Sequence, residues 1–314
     1  MHKSMKKSHN RRESNSTFIQ LNKQLAFLKN NKRKIDTDQD LYYDENQDRL
    51  DIELYYKSVA KQEEDGLSTF YRYSEFLNKT HKNRLPYFIS KDLYLYTWVD
   101  LHPDGTVRSI YSGEAKSPES LIIHDFHVIR EKYEEFQLFL KKIKQNEFET
   151  FKELKEFERN LKVNTEHIVP QSWFKALEPM KGDLHHLFVC EPVCNIARSN
   201  FPYGDFSDHQ PHSAEDSLQN HCGVVVKGQF EPENGKGEAA RAMLYFLLRY
   251  PKAIKKAFRS QIDLPLLIDW NLNYPVALYE KHRNQAIFQI QGNRNPFIDF
   301  PNLAKEIDFP FLSI

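Results

Sequence analysis

Between Thr165 and Tyr203 the chain gathers side chains suited to phosphodiester hydrolysis. The runs TEHIVPQSWF, GDLHHLF and EPVCNIARSNFPYG carry an acid–histidine pair, a second histidine pair and an Asn/Arg-rich turn. That reaction needs a base to deprotonate water, a cation to neutralise charge on the phosphoryl and leaving oxygens, and groups to hold the cation. His167 has the residue type whose ordinary pKa, about 6.5, suits a base near neutral pH. Glu166 and Asn195 offer the hard oxygen ligands that Mg²⁺ prefers, and Mg²⁺ keeps several waters, so two protein oxygens suffice. Neighbouring side chains on a regular strand point to opposite faces. Glu166 and His167 therefore share a site only if the backbone bends there or if they act from different sides, and spacing alone leaves both open.

These residues must be positioned by the surrounding elements. Asn164–Pro170 reads as a short extended segment that Pro170 ends, Leu184–Cys190 as a strand, and Glu191–Arg198 as a short helix. Upstream, Leu50–Lys61 and Ser68–Leu77 have helical spacing of apolar residues. Leu93–Val99 is rich in Tyr, Trp and Val; with the turn signal His102-Pro103-Asp104-Gly105 and the run Thr106–Tyr111 it predicts a β-hairpin. Its aromatic residues fit packing on helices better than stacking on bases. Phe126–Lys162, highly charged and free of Gly and Pro, predicts one long helix or two shorter ones. Asn200–Gln229 reads as irregular. Glu238–Arg249 predicts a buried helix, and Ile262–Trp270 and Pro275–Ile290 predict further helices.

The 314 residues, 40% hydrophobic and 28% charged, can bury a substantial core. Lys plus Arg and Asp plus Glu both number 44, which excludes a protein that coats nucleic acid through whole-surface charge; contact with nucleic acid has to be local. No apolar run is long enough to span a membrane. Residues 1–39 read as a polar, basic tail, disordered in part or helical around Phe18–Leu28, acting as a solubilising arm or as a tether for nucleic acid. The tail begins like an export signal but lacks the apolar stretch. Classical export is not indicated, which leaves a cytoplasmic location, an unconventional exit or a truncated gene start open. The three cysteines, Cys190, Cys194 and Cys222, argue against a disulfide framework and fit buried free thiols in a reducing compartment. A structural zinc on Cys190, Cys194, His185 and His186 is the lesser alternative, since a second cysteine pair is missing.

The same segments resemble the endonuclease I family of bacterial nucleases, members of the His-Me finger group. TEHIVPQSWF is similar to the family's first-strand signature, DLHHL to its second strand, and VCNIARSNFPYG to the helix and loop that supply a metal ligand. KGEAARAMLYFLLRY resembles the buried helix, and YEKHRNQAIFQIQGNRNPFIDFP the C-terminal block. DLYYDENQDRLDIELYYKSV and YLYTWVDLHPDGTVRSIYSGE are similar to the start of the secreted Gram-positive ribonuclease branch. The resemblance runs in consistent order from Asp40 to the C-terminus, so it implies a nuclease domain over residues 40–314 behind the 1–39 tail.

The resemblance implies an α+β fold: a mostly helical domain with a small antiparallel sheet and an embedded ββα-metal finger. It implies His167 as general base, Glu166 and Asn195 as ligands of one divalent cation, normally Mg²⁺, and Arg198 as support for the site or a phosphate. Asp183 and His185 would orient the finger, and His186 stands where the family often has Asn. Arg241, Arg283 and Arg294 match recurrent positions, either as ion-pair members or as phosphate contacts. Many relatives are exported and some carry several disulfides, and neither feature is evident here. The expectation is a hydrolase that cleaves RNA, DNA or both, leaves 5′-phosphate ends and shows little base preference. The alternatives are a catalytically silent nucleic-acid-binding protein on the same fold, or a zinc-dependent hydrolase of another ester using His167, His185 and His186.

Overall fold

The computed structural model of the chain describes residues 2–59, 65–142, 164–206 and 217–312. It is mostly helical with small antiparallel sheets, the α+β class expected. Helix α1 (His2–Thr37) includes the Phe18–Leu28 stretch and continues past it. Leu28 and Ile35 on α1 enter a core cluster, so this part of the segment read as a tail is packed.

Helices α2 (Glu45–Tyr56) and α3 (Gly66–Thr80) each start at an aspartate. The carboxylates of Asp44 and Asp65 accept the backbone N–H groups of Gln47 and Ser68, satisfying donors that a helix start leaves free.

Leu93–Val99 is not a strand. Ser90–Val99 forms a π-helical segment, closed by the Asp100 amide on the Leu95 carbonyl at 2.9 Å. Tertiary burial overrides the strand preference of its aromatic and branched residues. Lys91 and Tyr96, five residues apart, both reach the carboxylate of Asp125, at 3.2 and 2.7 Å. The actual hairpin is smaller: β1 (Val107–Arg108) pairs with β2 (Ala115–Lys116). Helix α4 (Pro118–Lys142) covers the start of the long charged stretch, whose remainder to Lys162 lies outside the described residues.

Strands β3 (Thr165–His167) and β4 (Leu187–Val189) are antiparallel, with Glu166 opposite Phe188 and His167 opposite Leu187. Leu184–His186, expected to be strand, is instead a 3₁₀ turn capped by Asp183, whose side chain accepts the His185 amide. Strand β4 has the period of two that separates layers. Leu187 and Val189 join one core cluster with Leu28, Leu95 and Ile287; Phe188 joins the other with Trp173, Trp270 and Phe246.

Helix α5 (Pro192–Arg198) follows, with proline in its first turn, where no intrahelical N–H is needed. The region read as irregular contains a three-stranded antiparallel sheet: β5 (Ser217–Asn220), β6 (Gly223–Val226) and β7 (Gln229–Pro232). Glycines and prolines had pointed to loop, but here they mark strand ends.

Helix α6 (Lys236–Arg249) is buried nearly throughout. Gly235 before it has φ +74°, and a Cβ there would lie 2.4 Å from the Ile110 carbonyl oxygen. Only glycine allows this approach of α6 to the hairpin. Helices α7 (Leu264–Asn273) and α8 (Leu278–Gln291) complete the scaffold. No helix among the described residues is long and apolar enough to cross a membrane.

Candidate active site

Strand β3 is anchored at its start, by Asn164 just before it and by Thr165, its first residue. The Asn164 amide and side chain both donate to Asp125, and Tyr96 shares a 2.6 Å hydrogen bond with the Thr165 hydroxyl. The next two side chains contact different groups. Glu166 Oε1 accepts the Tyr111 hydroxyl at 2.9 Å and lies 3.2 Å from Arg198 Nε. His167 meets Lys181, Gln171, Tyr87 and His186. Of the two arrangements open from sequence, the pair acting from different sides of the strand fits these contacts.

The imidazole of His167 is held in one tautomer. A carbonyl can only accept, so Nε2 carries the proton and donates to Lys181 O at 2.9 Å; Nδ1 accepts from Gln171 Nε2 at 3.2 Å. Burial first, and then His186, push its pKa well below the ordinary value, against the pull of the Lys181 carbonyl. The ring is therefore neutral at pH 7, with its lone pair on Nδ1.

Burial pushes the Glu166 carboxyl up to about 7; the Arg198 guanidinium and the Tyr111 hydroxyl only partly offset it. Arg198 is fully buried. Its Nη2 donates to Ile168 O at 2.7 Å, its Nη1 to Ser199 O at 3.2 Å, and it stacks over Tyr203. Burial opposes its charge, but Tyr203, Tyr111 and Glu166 outweigh that effect and hold its pKa above the ordinary value. With carbonyl partners of its own, Arg198 keeps its charge whether or not Glu166 is ionised. Glu166 is thus the member of the pair that burial leaves short of compensation. Of the two roles expected for Arg198, its burial fits support of Glu166 and not a direct grip on phosphate. Ser199, which ends α5, has φ +53°, a conformation rare for a residue with a Cβ.

Asn195, partly exposed on α5, donates Nδ2 to the Thr165 carbonyl at 2.8 Å, which ties the helix to β3 next to Glu166. No hydrogen bond to its Oδ1 occurs among the described residues. Sequence reasoning missed Tyr111, Gln171, Lys181 and Tyr203. Gln171, four residues beyond His167 and just after Pro170, had a local signal; Tyr111 and Tyr203 arrive through the fold.

The other candidates have structural partners. Asp183 accepts Tyr245, Tyr250 and Gln291 as well as the His185 amide. His185 and His186 each place Nε2 on a backbone carbonyl, of Asn293 and Met180. Arg241 pairs with Glu280, Arg283 with Asp100, and Arg294 with Asp48 and Asp299, every one of these side chains at most 3% exposed. Two cavities, about 500 and 410 Å³, lie elsewhere and touch none of Glu166, His167 and Asn195.

The cysteines correct the expectation of free thiols. Cys194 and Cys222, 28 residues apart, form a disulfide, and Cys190 alone is free and buried. The fold makes the pair by bringing α5 against the β5–β6 turn, which spacing could not reveal. Among the described residues, the groups of His, Cys, Asp and Glu whose donor atoms converge are Cys194–His221–Cys222 and Glu114–Glu191–His221. Neither matches the zinc sets considered from sequence.

A family model described as endonuclease I matches residues 146–302. The upstream part of the resemblance, residues 40–145, lies outside that match. An extracellular deoxyribonuclease of Aeromonas hydrophila is 28% identical over 168 residues, 46% of this chain and 69% of that protein. An extracellular ribonuclease of Bacillus amyloliquefaciens is 30% identical over 161 residues, 46% of this chain and 53% of that protein. An endonuclease-1 of Buchnera aphidicola is 29% identical over 125 residues, 38% of this chain and 47% of that relative. The match spans half the chain and includes Glu166, His167, Gln171, Lys181, Asn195, Arg198 and Tyr203; the chain belongs to the endonuclease I family, a family of nucleases.

Proposed function

We propose that the protein is a metal-dependent nuclease that hydrolyses phosphodiester bonds of RNA, DNA or both, with His167 as general base and one divalent cation, Mg²⁺, held by Glu166 and Asn195. The observation that carries this reading is the tautomer of His167. Its Nε2–H is fixed on Lys181 O, so its basic lone pair is at Nδ1, held among the described residues by the side-chain amide of Gln171. A water replacing that amide would give its proton to Nδ1 and attack phosphorus in line.

The donor set fits a hard cation. Glu166 is a buried carboxylate whose charge Arg198 compensates only in part, and Asn195 Oδ1 is a neutral oxygen on the helix bonded to the same strand. A cation bound there supplies positive charge against the phosphoryl and departing 3′-oxygens, leaving a 5′-phosphate. Arg198 keeps Glu166 in place through Nε and keeps α5 in place through Ile168 O. The protonation state of His167 suits its task, because a ring charged before substrate arrived could not accept a proton. A site directed at the phosphate backbone gives little base preference.

The deciding experiment is digestion of labelled single- and double-stranded RNA and DNA by the wild type and by His167→Ala, each with Mg²⁺ and with EDTA. Cleavage that needs Mg²⁺ and is lost in a folded His167→Ala supports the reading. Folded, Mg²⁺-loaded wild type that cleaves no polymer overturns it and favours the silent nucleic-acid-binding protein.

A further inference from the structure

The Cys194–Cys222 disulfide is surrounded by more ligand chemistry than a disulfide needs. His221 Nε2 stands 4.0 Å from Cys194 Sγ, 3.7 Å from Cys222 Sγ and 3.6 Å from Glu191 Oε2. Glu191 Oε2 is in turn 3.8 Å from Cys194 Sγ. Zinc bonds sulfur at about 2.3 Å and nitrogen or oxygen at about 2.0–2.2 Å, so a tetrahedral site separates its ligand atoms by about 3.3–3.8 Å. The separations around His221 and Glu191 lie within or just beyond that range. The contact that is too short is the sulfur–sulfur bond, and reduction lengthens it.

We propose that the reduced chain binds one Zn²⁺ through Cys194, Cys222, His221 and Glu191, so that α5 is tied to the β5–β6 turn by a disulfide when oxidised and by a metal when reduced. Both sulfurs are buried, while the His221 side chain is 56% exposed and gives the ion access. Lys116 pairs with Glu191 Oε1 at 2.9 Å, and Ser112 donates to Oε2 at 2.7 Å, which hold the carboxylate in place. The helix so tied carries Asn195 and Arg198. The zinc site does not depend on the nuclease reading.

Reduction by a trialkylphosphine breaks the S–S bond. Phosphorus gives up two electrons and takes the oxygen of a water as phosphine oxide; the two sulfurs take the electrons and the two protons of that water. Zinc then displaces both thiol protons to solvent.

The test uses the full chain, reduced with a trialkylphosphine, freed of excess reductant without air, and titrated with Co²⁺ as a coloured substitute for Zn²⁺. The reduced wild type is expected to take up one Co²⁺ with thiolate-to-cobalt charge-transfer bands and tetrahedral d–d bands. Oxidised protein and Cys222→Ser should lack the full pattern. Exposed His221→Ala should retain its circular dichroism and lose affinity by more than the roughly 10–100-fold that an outer-shell partner is worth. Zn²⁺ should bleach the cobalt spectrum at one equivalent. Reduced wild type without a thiolate band, or His221→Ala binding as tightly as wild type, overturns the proposal. Cobalt at Glu166 and Asn195 would show no thiolate band, so the two sites are distinguishable.

Discussion

Glu166→Gln should stabilise the metal-free protein while abolishing the Mg²⁺-dependent activity proposed for it. The magnitude follows from the folded environment of the carboxyl. Burial, opposed by Arg198 and Tyr111, moves its pKa from 4.5 to about 7. At about 1.4 kcal/mol per pH unit, this shift means that ionised Glu166 costs the fold about 3 kcal/mol relative to its protonated form. The sign is the reverse of the usual carboxylate case, in which the folded pKa is depressed. Below about pH 4.5 the group is protonated in both states and contributes no pH-dependent cost. Between 4.5 and 7 the unfolded chain releases its proton first, and stability falls as pH rises. Above 7 the full cost is present.

Glutamine keeps the oxygen that accepts from Tyr111, and Arg198 retains the carbonyls of Ile168 and Ser199. Urea denaturation in EDTA, from pH 4.5 to 8.5, measures the difference. The variant should match wild type at the acid end and exceed it by up to about 3 kcal/mol above pH 7, with Mg²⁺ narrowing the gap by stabilising only the wild type. A variant that is less stable than wild type at pH 8 in EDTA would mean that the Arg198 contact more than offsets burial, and the account of Glu166 as an undercompensated charge would be wrong.

Further outcomes are expected from the same structure. His167→Ala should lower kcat by roughly 10²–10⁴-fold while leaving the Mg²⁺ affinity seen in calorimetry near that of wild type. Arg241→Met should cost about 3–5 kcal/mol in urea denaturation by leaving buried Glu280 without its partner; the double change Arg241→Met with Glu280→Leu should recover part of that loss, and KM for nucleic acid in both should stay near wild type if Arg241 grips no phosphate. Burial holds the His185 imidazole down at about 3 although Asp183 pulls it upward. Its lowered folded pKa means that its contribution is complete above pH 6.5 and is lost as pH falls toward 3. Stability measured across that window should drop less steeply in His185→Gln, and the His185 ring should remain neutral by NMR at pH 5.

The local frame of the candidate site was legible in the sequence. Glu166, His167, Asn195 and Arg198 occupy two short segments, and the strand and helix expected around them formed within a few residues of their predicted bounds. What was not legible depends on contacts distant in sequence. Tyr111 reaches Glu166 across 55 positions, and nothing in its own neighbourhood marks it. The stretch at Leu93–Val99 has strand-like composition, yet it is wrapped by α1, α4 and α8, and a buried Lys91–Asp125 pair fixes a helical turn. The β5–β7 sheet hides among prolines and glycines for the same reason: pairing, and not propensity, makes those strands.

The arginines make the same point about function. Arg198, Arg241, Arg283 and Arg294 could each have gripped a phosphate by residue type, but all four are at most 2% exposed and ion-paired to carboxylates. Arg283 illustrates their work. It joins Asp100 to the carbonyls of Leu184 and Leu187 and lies over the Phe188 ring, which clamps β4. Strand β3 is thus held by β4 along one edge, by Asp125 and Tyr96 at its start and by Asn195 from the helix. Two adjacent side chains on a strand held this firmly can act from different sides without losing register. The single-ion site proposed here, with only two protein ligands, would require that rigidity.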